Sequence, residues 1–177
     1  MKSVLISIQP KWCELIANGK KTVEVRKTKP KLETPFKVYI YMTKSYDTLF
    51  GYGKPKKLCV DGGKVIGEFI CDKITDCRDI HGQAFFTLSC MSLKEWMKYT
   101  EGHKGAVLAW YISNLVIYDK PRKLGEFITP TDCNSIVAKD MMCNTCCLSS
   151  RFCSKKPKRI TRPPQSWCYV ESEVNTE

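Results

Sequence analysis

One short alternating stretch, Lys21-Thr22-Val23-Glu24-Val25-Arg26, carries the first chemistry in this sequence. Read as a strand, it turns Val23 and Val25 one way and Thr22, Glu24 and Arg26 the other. Glu24 and Arg26 then stand two residues apart on a polar working face. Arginine offers a planar fork to a phosphate or a base edge. A glutamate accepts a hydrogen bond from an exocyclic amine such as cytosine N4. Lys21 falls where a helix ends and the strand begins, on the rim of any cleft. The plainer alternative is a structural ion pair between Glu24 and Arg26. Exposed pairs of that kind contribute only about 0–1 kcal/mol, so stability alone gives little reason to choose them. Trp110 or Tyr111 supplies a stacking surface for an unpaired base, worth about 1–3 kcal/mol per base. Neighbours in a strand face opposite sides, so at most one of them lines the cleft. Tryptophan's usual burial favours the core for Trp110 and leaves Tyr111 as the candidate.

A second chemistry lies in the cysteines. Cys143-Asn144-Thr145-Cys146 is a CxxC knuckle, a spacing that turns two thiolates toward one tetrahedral ion. Cys153 and Cys133 complete a four-cysteine site, with Cys147 or Cys168 as alternates, so one structural zinc is a candidate cofactor. The competing reading is a reduced cysteine-rich loop. The total of eleven cysteines is odd, which argues against a disulfide framework. The five in the first half are scattered, as small buried hydrophobes are.

Other catalytic arrangements lack their residues. The two histidines, His81 and His103, stand in apparent loops, and there is no HExxH, phosphate-binding glycine loop or nucleophile elbow. A zinc deaminase needs a His-x-Glu upstream of its CxxC, and none is present. The charge points elsewhere. The chain of 177 residues carries 29 Lys+Arg against 18 Asp+Glu, a net charge of +11. Residues 20–37 and 141–170 hold much of the excess, the second with no acidic residue at all. Clustered positive charge favours a polyanion, because each neutralised phosphate releases counterions. No apolar run approaches the ~20 residues of a membrane span. The N-terminal stretch lacks the apolar region of about 7–15 residues of a signal peptide, so the chain reads as cytoplasmic, without a membrane partner.

The elements that must position these groups follow from periodicity. Val4–Ile8 reads as a buried strand, Pro10–Asn18 as a two-turn helix stopped by Gly19, and Phe36–Thr43 as a strand. A long loop spans 44–63, and a strand bent at Gly67 spans 64–74. Ser92 and Glu95 form a capping box that opens a second short helix. Residues 106–118 are apolar and give one or two core strands, ended by Asp119-Lys120-Pro121. Residues 165–171 give a terminal strand. The tally of strands with two short helices, and no βαβ rhythm, predicts a mainly β (α+β) domain built as a small, largely antiparallel barrel.

Gly19-Lys20-Lys21-Thr22-Val23-Glu24-Val25-Arg26 resembles the GxKxxExR signature of the ASCH domain, a relative of the PUA-like β-barrels associated with RNA. The strand with Gln9-Pro10 and the helix before the motif fit that resemblance. So do Val65–Phe69, Ile112–Leu115 and Tyr118–Pro121, in the manner of bacterial and phage members. The likeness implies an ASCH-like barrel over residues 1–128; residues 129–163 break the strand pattern and read as a basic cysteine-rich insertion, a candidate zinc-binding segment, before a closing strand and tail over 164–177. The likeness also brings three activities: RNA-binding modules, an amidohydrolase branch acting on N4-acetylcytidine, and a ribonuclease. In the amidohydrolase branch Lys21 matches a catalytic lysine, Glu24 stands where that branch has threonine, and Glu68 or Glu95 is open as the later glutamate.

The leading expectation is a nucleic-acid-binding module that takes RNA, single-stranded nucleic acid or a nucleotide in a barrel cleft. Its contacts would be Gln9, Lys11, Lys20, Lys21, Glu24, Arg26 and Tyr111, with Lys155, Lys156, Lys158 and Arg159 gripping the backbone. The alternatives are an enzyme on RNA or a modified nucleoside, with Lys21 and Glu24 as its catalytic pair, and a non-enzymatic regulatory module that binds protein.

Overall fold

β-Branched and aromatic runs alternate with short helical segments along the chain, and among the described residues they assemble as one seven-stranded mixed sheet with three short helices. The computed structural model describes residues 2–44, 62–130 and 157–172. The strands are β1 (Ser3–Ile8), β2 (Val23–Arg26), β3 (Phe36–Met42), β4 (Lys64–Asp76), β5 (Leu108–Arg122), β6 (Phe127–Ile128) and β7 (Trp167–Ser172). The helices are α1 (Pro10–Ala17), α2 (Gly82–Ser89) and α3 (Leu93–Thr100).

The strand order is β2-β5-β4-β3-β1-β7-β6. β1 and β3 run parallel and every other pair is antiparallel. The β-rich α+β fold expected from the sequence is present, and among the described residues its sheet is not closed, with β2 and β6 at its two edges. The terminal strand does not seal a cylinder. β7 adds beside β1, with Leu5 opposite Cys168.

Three apolar clusters hold the sheet to its helices. On one face Val4, Ile6 and Ile8 of β1 and Val38, Ile40 and Met42 of β3 bury Cys13 and Ile16 of α1, with Trp110. On the other, Leu5, Tyr39 and Tyr41 pack against Phe127, Ile160 and Val170. The third joins Val23, Val25 and Ala109 to Phe85 of α2, with Trp96 and Tyr99 of α3 packed alongside. No helix among the described residues is long and apolar enough to cross a membrane.

β4 and β5 are bent by bulges. The register shifts between Val65 and Gly67, where a Cβ on Gly67 would lie 2.3 Å from the Val116 carbonyl oxygen. Only glycine permits that approach. Further along, Phe69 alone stands against Asn114 and Leu115, and Asn114 takes a positive φ of 46°. Asparagine tolerates that conformation better than most residues.

Two expectations about elements change. α2 adds a third helix to the two expected. β5 also runs through Asp119-Lys120-Pro121 to Arg122 as a single strand, instead of ending before them. The reason lies in the pairing. β2 pairs with β5 only over Leu108–Tyr111, so from Ser113 onward that side of β5 has no strand partner among the described residues. Proline is tolerated on such an edge because no ladder hydrogen bond is lost. The expected loop at 44–63 lies mostly outside the described residues.

Candidate functional site

The end of α1 sets the site. Gly19 (φ +69°) donates its N–H to Ile16 O, and the N–H groups of Lys20 and Lys21 both reach Leu15 O, at 2.9 and 3.0 Å. This turn points Lys21 inward. Its side chain is 2% exposed and its Nζ donates to Ser89 O at 2.8 Å, at the end of α2. Glu24 and Arg26 follow on β2, 6% and 8% exposed. Glu24 Oε2 lies 3.4 Å from Lys21 Nζ, and Oε1 lies 2.9 Å from Arg26 Nη2. Nη2 also donates to Ser7 O at 2.7 Å, and Nη1 reaches Ser166. Arg26 Nε has no partner among the described residues.

The alternation read from the sequence therefore holds: Val23 and Val25 face the helices, Glu24 and Arg26 the other side. The degree of burial does not match the expectation. The pair is not an exposed surface pair, and Lys21 lies buried in the lining instead of on the rim. Buried charges of this kind are kept only when paired and hydrogen-bonded.

Above these residues lies a cleft of about 530 Å³. Trp12 of α1 and Gln9 before it, Met91 and Tyr99 from the α2–α3 region, and Pro163-Pro164-Gln165 border it. The last segment is anchored where Ser7 Oγ donates to Pro164 O at 2.6 Å. Tyr99 Oη donates to Val25 O at 3.3 Å, and burial raises its pKa, so the phenol stays protonated. Burial first, and then the nearby Glu24 charge, push the Cys13 thiol well up, which makes it a packing residue.

The aromatic expectation is corrected. Tyr111 pairs across the strands with Val23 and packs with the Val23–Val25 cluster, away from Glu24. Trp110 pairs with Glu24 but is fully buried in the core. The aromatic residues that line the cleft are Trp12 and Tyr99. Trp12 of α1 packs partly against the core and also lines the cleft. Each ring carries an ammonium: Lys11 and Lys21 stand 4.4 and 4.9 Å from the Trp12 centroid, and Lys27 stands 5.0 Å from that of Tyr99.

The remaining candidates disperse. Lys20 is exposed beyond the lining. Lys11 is paired to Glu95. Glu68 binds Lys37 and Tyr118, and neither Glu68 nor Glu95 lines the cleft. Lys158 and Arg159 are exposed and run beside the edge of β6, where Ile160 N–H donates to Phe127 O. Lys155, Lys156, Cys133, Cys143, Cys146, Cys147 and Cys153 lie outside the described residues. Cys168 sits on β7 against the Leu5 cluster, and burial lifts its thiol to about 11. No group of three or more metal-binding side chains occurs among the described residues.

Glu95 gives a pH test. The Lys11 hydrogen bond, with bonds from Ser92, lowers its carboxyl from 4.5 to about 2. The folded value is depressed, so the contribution to stability is present above about pH 4.5 and is lost as pH falls toward 2. Glu95→Gln should flatten that limb of a urea-stability profile between pH 5 and 2. An unchanged slope would show that the contact contributes nothing.

A model of the ASCH domain family matches residues 6–122. A search of the curated proteins gives no match. Among solved structures, the crystal structure of ASCH from Zymomonas mobilis is similar with a TM-score of 0.58 and 19% identity, over 96% of this chain and 87% of that one. A mutant of that protein with one serine replaced by alanine gives 0.57 and 19%, over 96% and 88%. A second mutant, with one tyrosine replaced by phenylalanine, gives 0.52 and 21%, over 70% and 77%.

Proposed function

The chain belongs to the ASCH domain family, a PUA-like fold family generally related to nucleic acids, and from that premise we propose that its cleft binds RNA or a nucleotide in the cytoplasm. One observation carries the reading. Lys21, Glu24 and Arg26 are buried together in the lining of an aromatic-walled cleft of about 530 Å³, within the ~300–1,000 Å³ range of small-ligand sites. Stability alone does not favour two buried cations and a carboxylate, since apolar replacements of buried ion pairs are often neutral or stabilising. Their directional donors suit a phosphate or a base edge, and Trp12 or Tyr99 offers a ring to a splayed base.

The test is fluorescence anisotropy with labelled single-stranded RNA. Affinity should fall at least about tenfold between 50 and 200 mM salt. Lys27→Gln, at the Tyr99 ring, should weaken binding, and Arg26→Ala should do so further. Affinity independent of salt would remove the phosphate-contact reading. The same samples decide a second reading, favoured by the Lys21–Glu24 contact in the cleft. RNA shortened by the wild type, but not by Lys21→Met, would make the pair catalytic, with Glu24 as proton carrier. Intact RNA leaves a binding module.

A further inference from the structure

We propose that the cleft takes its ligand by a phosphate, so that the unit it recognises is a phosphorylated nucleoside and not the bare nucleoside. This rests on the reading that the cleft binds RNA or a nucleotide. The charge balance carries it. Lys21 and Arg26 contribute +2 to the lining and Glu24 contributes −1, which leaves +1 on residues that are 2–8% exposed. Glu24 is the one carboxylate among the described residues of that lining, and it already serves both cations, at 3.4 and 2.9 Å. An uncompensated charge out of water is unfavourable. A ligand anion supplies the missing charge, and a neutral nucleoside does not.

Two ammoniums stand against the aromatic walls, one of them Lys21 itself. Lys21 Nζ lies 4.9 Å from the Trp12 centroid and Lys27 Nζ 5.0 Å from that of Tyr99. Each aromatic residue of the lining therefore has an ammonium against its ring, Lys21 from within the lining and Lys27 from outside it. This disfavours cationic ligands such as methylated bases or amines. A phosphate, whose oxygens are strong acceptors, matches a lining rich in ammonium and guanidinium donors. The phosphate has two sources, a free nucleotide or the 5′-phosphorylated end of an RNA chain, and the same site serves either.

Titration of the full chain with cytidine, cytidine 5′-monophosphate, and one RNA oligonucleotide with and without a 5′-phosphate distinguishes these. The monophosphate should bind at least tenfold tighter than cytidine. Its advantage should grow as pH rises through about 6, where the phosphate gains its second charge. A gain confined to the phosphorylated oligonucleotide would identify a chain end as the source. Lys21→Met removes the excess charge and should bring the monophosphate and cytidine close to parity, and a folded Lys21→Met with undiminished preference would overturn the inference. The wild-type comparison decides without that variant. Equal affinity for cytidine and its monophosphate, with RNA still bound, overturns the phosphate inference and leaves the binding reading intact. So does RNA binding that ignores the end phosphate while neither small ligand competes. Absence of binding by every probe overturns the underlying reading as well.

Discussion

Glu24→Gln should destabilise the protein by about 3–5 kcal/mol, the cost of breaking a buried ion pair by removing one partner. The carboxylate is the sole counter-charge for Lys21 Nζ among the described residues, at 3.4 Å, and it lies 2.9 Å from Arg26 Nη2. Glutamine keeps the shape and one carbonyl acceptor but leaves two cations in the lining, with the Ser89 and Ser7 carbonyl oxygens as their main remaining partners. At roughly 2–4 °C per kcal/mol for a chain of this size, a thermal melt should shift by about 6–20 °C. Lys21→Met should cost much less, because it leaves the Glu24–Arg26 pair intact and neutral. In a double-variant cycle, adding Lys21→Met to Glu24→Gln should recover part of the loss, since one uncompensated charge disappears. A loss below about 1 kcal/mol for Glu24→Gln, measured by urea denaturation, would show that these charges are solvated and uncoupled.

The parts of this site that are legible in the sequence are those set by local periodicity. A strict period of two assigns Val23 and Val25 to one face and Glu24 and Arg26 to the other, and the strand keeps that assignment. The Ser92–Glu95 capping box and the Pro10 start of α1 are local in the same sense, and both form. Lys21 is different. Its burial depends on Ser89, 68 residues away, whose carbonyl oxygen accepts from Nζ. Ser89 ends α2, a helix whose apolar residues Phe85, Phe86 and Leu88 give only two turns of periodic signal. Pro163-Pro164-Gln165 lie just before β7, and nothing local announces that Ser7 and Arg26 hold this segment beside the cleft. The open sheet is hidden for a related reason. Alternating strands specify faces but not partners, and the parallel pairing of β1 with β3 is fixed by their mutual burial over α1. The choice between Trp110 and Tyr111 fails on the assumption that the cleft's aromatic must lie on β5. The helices supply both rings instead.

Trp110→Ala should cost about 3–5 kcal/mol, the range for removing a large aromatic side chain from a core. Trp110 is fully buried, edge-on to Phe36 at 5.8 Å between centroids and 6.3 Å from Trp167. Its indole Nε1 has no hydrogen-bond partner among the described residues. The residue therefore acts through volume and not through its N–H, and Trp110→Phe should retain most of the stability. Removing an unpaired donor costs no hydrogen bond, and it relieves a desolvated group that cost energy to bury. The loss in Trp110→Phe is then the smaller ring's missing contacts alone. The two variants should also differ at the cleft. Trp110 stands opposite Glu24 in the strand register, so a void left by alanine opens directly beneath the residue that holds Lys21 and Arg26 in place. Trp110→Ala should lose ligand affinity even at temperatures where it is folded, and Trp110→Phe should bind as the wild type does. Titration of both at about 10 °C, beside their urea midpoints, separates the effects. If Trp110→Phe were as damaging as Trp110→Ala, the indole N–H would have an essential partner, and support of Glu24 by packing would not be its role.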